Sequence, residues 1–321
     1  FTWGSFTLDG SEFTFCGRQI EVRSRTVKIS MRAHNVAIEV NKLPRHRRGT
    51  PQSALTAGEP AELISGVGTL QWVGSNCNPP VQAQVSMIQS GQPVVETLMQ
   101  VQSLLREVRD HPDDGVILVR VDRESAILLT FGDGSWANVG NRTQAGYVTY
   151  LTAAQALTAD GGVCSMIDWR SHRLKRACHC TLYAEAMASR AAATSATWTR
   201  HFLLEIAVRA HRASLSVDDS GLSHVTGMLP LHIVTDCNSL HETVVKSRLP
   251  EDKRAAIEIL AIREMLTEAG YDSDSEVEDG GRLKEKDVSS VYHWTVSEDQ
   301  KADILTKRSL LGVEPGVDCI Q

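Results

Sequence analysis

Apolar and polar positions change period several times along the chain, and each change marks an element. Residues 6–31 alternate ("FTLDGSEFTFCGRQIEV", then "TVKISM"), which predicts short strands with a turn signal at Asp9-Gly10. Residues 41–58 are polar and basic with no period, and predict a loop or linker. Helical spacing then runs from 60 to about 74, on to about 90, and through "VVETLMQVQSLLREVRDH" to 111, interrupted at Asn78-Pro79-Pro80 and between Gly91 and Pro93. Pro112-Asp113-Asp114-Gly115 is the best boundary, so two domains are expected, 1–111 and 112–321.

The second half opens with "GVILVRVD", "SAILLTFGDGSWA", "QAGYVTYLTA" and "GVCSMIDWRS", a meander-like run of strands. A long helix is expected over 181–212, then a buried strand in "PLHIVTDCNSL", then helices over 239–248 and 252–269. Residues 271–287 are acidic, then basic, and predict a mobile loop. "SSVYHWTV" reads as a last strand, and "SEDQKADILTK" as the opening of an amphipathic helix with Asp303 between apolar neighbours. Strands followed by alternating helix and strand predict an α/β fold, a mixed sheet with helices on its faces.

Composition narrows the classes. Of 321 residues, 42% are hydrophobic and 22% charged, an ordinary globular balance. The net charge of −6 carries no global basic signature, so nucleic-acid binding would need a local patch. Seven Cys, an odd number without a C-x-x-C pair, favour reduced thiols in an intracellular compartment. Cys178-His179-Cys180 resembles half of a zinc site, but the further ligands have no evident source, and a strand there would align the two thiols without a metal. No apolar run reaches the ~18 residues of a membrane span. The chain opens at Phe1 as if inside an element, which suggests a piece of something longer.

Four acids stand where the local pattern calls for an apolar or buried residue: Asp133 and Asp236 just beyond apolar strands, Glu185 in "LYAEAMA" and Asp303 in "ADILTK". A turn or helix cap accounts for either strand-end Asp alone, and a surface position for Glu185 alone. Together they suggest a site, because clustered carboxylates raise one another's pKa unless a cation neutralises them. Oxygen-rich acidic sites suit Mg²⁺ or Mn²⁺, and two such ions can cut a phosphodiester.

At these residues the chain resembles the ribonuclease H domain and, more narrowly, the polyprotein of copia-type retrotransposons. "FGDGSWANVGNRTQAGYV", "DWRSHRLKRACHCTLYAEAMA", "IVTDCNSL", "EILAIRE" and above all "SEDQKADILTK" carry the resemblance, and "FTFCGRQI" and "GVGTLQWVGSNCNPP" extend it to the first half. It implies a ribonuclease H-like mixed five-stranded sheet flanked by helices, preceded by a smaller α+β thumb or connection fragment of a reverse transcriptase. It implies Asp133, Glu185, Asp236 and Asp303 as catalytic metal ligands for two Mg²⁺, which Mn²⁺ can replace. The implied activity is hydrolysis of the RNA strand of an RNA–DNA hybrid, the implied partner the rest of the polyprotein, and the implied location a cytoplasmic virus-like particle and the nucleus. A Tyr-x-Asp-Asp polymerase motif is absent, so no DNA synthesis is expected from this chain. Ser135 stands where the family usually has a second Asp.

Candidate substrate contacts are Asn138, Asn141, Arg142, Thr143, Gln144 and Asn238, with Arg170, Arg173, Lys175 and Arg176 as the best phosphate patch. Loop, cap and edge-guarding roles are the bland alternatives. Trp136, Trp169, Trp198 and Trp294 read as core. The resemblance also offers product release to His293, but its place inside "VYHWTV" argues against that. The competing function is a catalytically inactive remnant that binds nucleic acid or a polymerase. Another nuclease or an integrase on the same sheet is a third reading.

Overall fold

A computed structural model describes residues 10–139, 142–158, 161–214, 229–246, 249–269, 288 and 291–307. The polar segment 271–287 lies outside the described residues.

Strands β1 (Glu12–Phe15), β2 (Arg18–Val22) and β3 (Thr26–Ser30) form an antiparallel meander. The β1–β2 hairpin turns at Cys16 and Gly17, both at positive φ as a two-residue hairpin loop of this hand requires. Two short helices follow, α1 (Arg32–Val36) and α2 (Arg45–Arg48), then α3 (Glu59–Asn76), α4 (Pro79–Ser90) and α5 (Val95–Asp110). Asn78 starts α4 by accepting from the Val81 backbone N–H, and Pro79 fits a first turn, where no N–H is needed. Strand β4 (Gly115–Val119), expected to open the second sheet, instead pairs with β3 and completes the first. Its local pattern marks a strand but not a partner.

The second sheet has five strands: β5 (Ala126–Val139), β6 (Arg142–Ala153), β7 (Cys164–Arg173), β8 (Leu231–Thr235) and β9 (Tyr292–Trp294). Their order is β7-β6-β5-β8-β9, with antiparallel pairing from β5 to β7 and parallel pairing from β5 to β9. This is the expected mixed, helix-flanked α/β sheet. The helices are α6 (Thr181–Ser214), α7 (Asn238–Val245), α8 (Lys253–Ala269) and the single turn α9 (Asp303–Thr306). Among the described residues, the helix expected to start at Glu298 does not form as one piece. Residues Ser297–Asp299 form a separate 3₁₀ turn, and Asp303 is the first residue of α9.

Each face of this sheet buries a different partner. On one, Leu128, Leu231 and Ile233 pack with Ala186, Ala193 and Ala196 of α6 and with Ile259 and Ile262 of α8. On the other, Leu129, Phe131, Val148, Tyr150 and Met166 share one core with Leu70, Val73, Val81, Val85, Val101 and Leu104 of α3 to α5. Polar contacts reinforce this join. Trp169 Nε1 donates to the Gly74 carbonyl at 2.9 Å, and Gln82 Oε1 accepts from the Ser171 backbone N–H at 3.2 Å. The second of these caps a free donor on the edge strand β7.

The two halves therefore depend on each other's apolar surface. A chain lacking residues 1–111 is expected to bind a hydrophobic dye and melt without a cooperative transition. A monomeric fragment that melts cooperatively and binds no dye would contradict the shared core.

Candidate metal centre

The site forms where β8 ends beside the middle of β5. Their parallel register pairs Phe131 with Val234, so Asp133 and Asp236, each two residues further on, stand at the same height; Asp133, expected just beyond its strand, lies within β5, and Asp236 follows the end of β8. Asp133 is buried and lies between Gly132 and Gly134. These glycines let α6 lie against β5: a Cβ on Gly134 would stand 2.6 Å from the Ala184 carbonyl oxygen. The close approach brings in Glu185, buried in the first turns of α6, whose Oε2 accepts the Gly134 backbone N–H at 3.1 Å. On the other face, Gly146 of β6 pairs with Asp133 and leaves room for α9, since a Cβ there would stand 2.7 Å from Leu305 Cβ.

One carboxylate oxygen from each of Asp133, Asp236 and Asp303 lies within 4.8 Å of the others. Thr306 Oγ1 donates to Asp133 Oδ2, and Lys307 Nζ to Asp303 Oδ2. Asp236 Oδ2 accepts from Ser297 Oγ at 2.9 Å, and its Oδ1 from Gln300 Nε2 at 3.4 Å. Asp303 Oδ1 is buried without a hydrogen-bond partner.

Asp133, Glu185 and Asp303 resist ionisation when no cation is bound. Burial, then Asp303 and Asp236, raise the Asp133 carboxyl to about 6 against the pull of Thr306. Burial, then Asp133 and Asp236, raise Glu185 to about 9. Asp303 is raised by burial and Asp236, partly offset by Lys307. Burial opposes the charge on Lys307, yet its bond to Asp303 and the nearby Asp133 and Asp236 outweigh this and raise its pKa.

A divalent cation fits these residues. The donors are all hard oxygens, and one buried carboxylate oxygen has no partner. Asp133, Asp236 and Asp303 would hold such an ion, with Glu185 beside them.

The expected substrate contacts divide. Arg170, Arg173, Lys175 and Arg176 are exposed around the end of β7, although Arg176 also pairs with Glu258 at 2.8 Å. Ser171 sits opposite Gly146, which sits opposite Asp133, so the patch lies two strands, roughly 10 Å, from the acids. Asn238 is exposed in the first turn of α7. Gln144 corrects the expectation: it is buried, and its Nε2 donates to Ser86 Oγ at 2.7 Å and Ser171 Oγ at 2.8 Å. It joins α4 to the sheet and offers nothing to a ligand. Thr143 is buried as well. Asn138 and Arg142 belong to β5 and β6, but their side chains, and all of Asn141, lie outside the described residues.

The tryptophans also depart from expectation. Trp136, Trp198 and Trp294 are exposed, and only Trp169 is half-buried at the join between the halves. Trp294 Nε1 donates to the Asp236 carbonyl at 3.1 Å, which sets a half-exposed ring beside the acids. His293 Nε2 lies 2.9 Å from His232 Nδ1 on the neighbouring strand. Sequence reasoning passed over Gln300, Thr306 and Lys307, although "SEDQKADILTK" holds all three. Their spacing of three or four positions from Asp303 was the available signal.

Fold and site together define a mixed α/β sheet carrying an acidic, cation-fitting cluster across its two central strands and the turn α9. No protein-family model and no curated protein matches the chain. Among solved structures, RNase H1 from the halophilic archaeon Halobacterium salinarum NRC-1 is similar to it at 16% identity and a TM-score of 0.26, over 45% of this chain and 79% of that one. A likeness that distant carries no argument about function. Among the described residues, no helix is long and apolar enough to cross a membrane.

In metal-free protein, Asp133 and Glu185 keep protons that the unfolded chain has lost above its ordinary carboxyl values of ~4. A folded state that binds more protons loses stability as pH rises. With EDTA present, the melting temperature is therefore expected to fall from about pH 7 to about pH 9, above the range in which His172, His232 and His293, kept neutral by burial, work in the opposite direction, and to fall less in Glu185→Gln. A melting temperature that is flat or rises over that range would contradict these protonation states.

Proposed function

We propose that this chain is a divalent-cation-dependent endonuclease of ribonuclease H type that hydrolyses the RNA strand of an RNA–DNA hybrid. The observation that carries this reading is the convergence of Asp133, Asp236 and Asp303, with Glu185 alongside and with Oδ1 of Asp303 buried without a partner. The resemblance in "ADILTK" and "IVTDCNSL" then favours a retrotransposon origin, with residues 1–111 as the end of a reverse transcriptase and 112–321 as its nuclease. Two Mg²⁺, or Mn²⁺ in their place, are the proposed ions.

Bound ions would supply an activated water and a counter-charge for the leaving oxygen. The chain supplies the rest. The β5–β8 register and the glycines fix where the carboxylates stand, and Thr306 and Gln300 hold Asp133 and Asp236 in orientation. Arg170, Arg173 and Lys175 face solvent where a nucleic-acid backbone can be held about two strand spacings from the acids. Asn238 offers an amide next to Asp236, of the kind that can bind a ribose 2′-hydroxyl. Trp136 and Trp294 offer exposed rings for stacking.

The whole chain, given a labelled hybrid and Mg²⁺ or Mn²⁺, is expected to cut the RNA strand alone. Cutting should stop with EDTA and drop roughly 10²-fold or more in Asp236→Asn, since a metal's charge stabilisation is worth several kcal/mol. Double replacement of Arg170 and Arg173 by Ala should weaken hybrid binding and reduce the slope of log K against log salt by about 2. A folded chain that binds the hybrid without cutting it would instead make this protein a nucleic-acid-binding remnant.

A further inference from the structure

The Cys178-His179-Cys180 stretch has no part in the acidic site. It is not a strand, because β7 ends at Arg173, and these residues form the connection to α6. The third ligand that the local sequence could not supply comes from elsewhere. His179 Nε2 lies 2.8 Å from Asp252 Oδ2, 73 positions along the chain. The imidazole nitrogen, the Cys180 thiol and an Asp252 carboxylate oxygen all lie within 4.8 Å of one another.

Each donor is held by a second contact. Asp252 Oδ1 accepts the Arg254 backbone N–H at 2.9 Å and so caps α8, which leaves Oδ2 for the cluster. The His179 ring lies against that of Tyr183, with centroids 5.4 Å apart. The Cys180 carbonyl accepts the Ala184 backbone N–H at 3.3 Å, which ties the residue to the first turn of α6. Cys178 turns elsewhere, its Sγ 3.9 Å from Met187 Sδ beside Ala145 and Leu174. A surface His–Asp pair with a helix cap accounts for two of the three residues. It gives no reason for a thiol to stand in the same space.

We propose that His179, Cys180 and Asp252 bind one thiophilic divalent cation of the zinc class, with solvent in the fourth position. A mixed nitrogen, sulfur and oxygen set at tetrahedral coordination suits Zn²⁺, while Mg²⁺ and Ca²⁺ prefer oxygen alone. Binding would replace the thiol proton with the ion, and the imidazole nitrogen that faces the ion must be the one without a proton. The ion would join the start of α6, the helix that carries Glu185, to the start of α8. It would stabilise the folded chain by mass action.

Co²⁺ is the probe, added to the whole chain under excess Mg²⁺ so that the oxygen-only acidic cluster is occupied. A thiolate-to-cobalt absorption band is expected, saturating at one equivalent and bleached by Zn²⁺. It should vanish in Cys180→Ser and remain in Cys16→Ser, which removes an exposed thiol elsewhere. Asp252→Asn keeps the helix cap, because Asn caps as well as Asp, and should weaken binding by roughly 100-fold. Absence of the band in folded wild-type chain, its persistence in Cys180→Ser, or unchanged affinity in Asp252→Asn would each overturn the site.

Discussion

The parallel register that sets Phe131 beside Val234 is the constraint on which the site depends. It is fixed by burial on both faces. Leu128 and Ile233 go to the α6 side, while Leu129, Phe131 and Val234 go to the side covered by α3 to α5. A slip of one residue would turn each of these side chains to the wrong face. With the register fixed, Asp133 and Asp236 must stand side by side, and burial together with Asp303 and Asp236 then raises the Asp133 carboxyl.

The rest of the centre is built around that pair. Gly134 lets the α6 backbone come close enough for Glu185 to bond the β5 backbone, and Gly146 lets α9 descend on the opposite face with Asp303, Thr306 and Lys307. The metal-free cluster is therefore positioned by packing. That packing comes from both halves of the chain, since α3 to α5 cover the sheet face from which Asp133 meets Thr306.

Much of this was legible in the sequence. An acid at an apolar strand end or within an apolar helix face breaks the pattern, and all four acids broke it. The mixed, helix-flanked sheet followed from strand and helix periods, while its five strands were what the resemblance implied. What was not legible depends on distant partners. β4 looked like any strand until β3 claimed it, and Gln144 looked like a loop amide until Ser86 and Ser171 enclosed it. The exposed Trp136 and Trp294 show that an aromatic ring does not by itself say which side of a surface it takes. Asp252 stood too far along the chain to be linked with His179 and Cys180 by spacing.

The most direct test of the central claim is where a cation sits. A crystal of the whole chain soaked in Mn²⁺ can be measured at the manganese absorption edge, where anomalous scattering marks the ion and not the protein. Anomalous density between Asp133, Asp236 and Asp303, within coordinating distance of their carboxylate oxygens, is the result the structure predicts. An ordered acidic cluster without manganese density at saturating Mn²⁺ would contradict it.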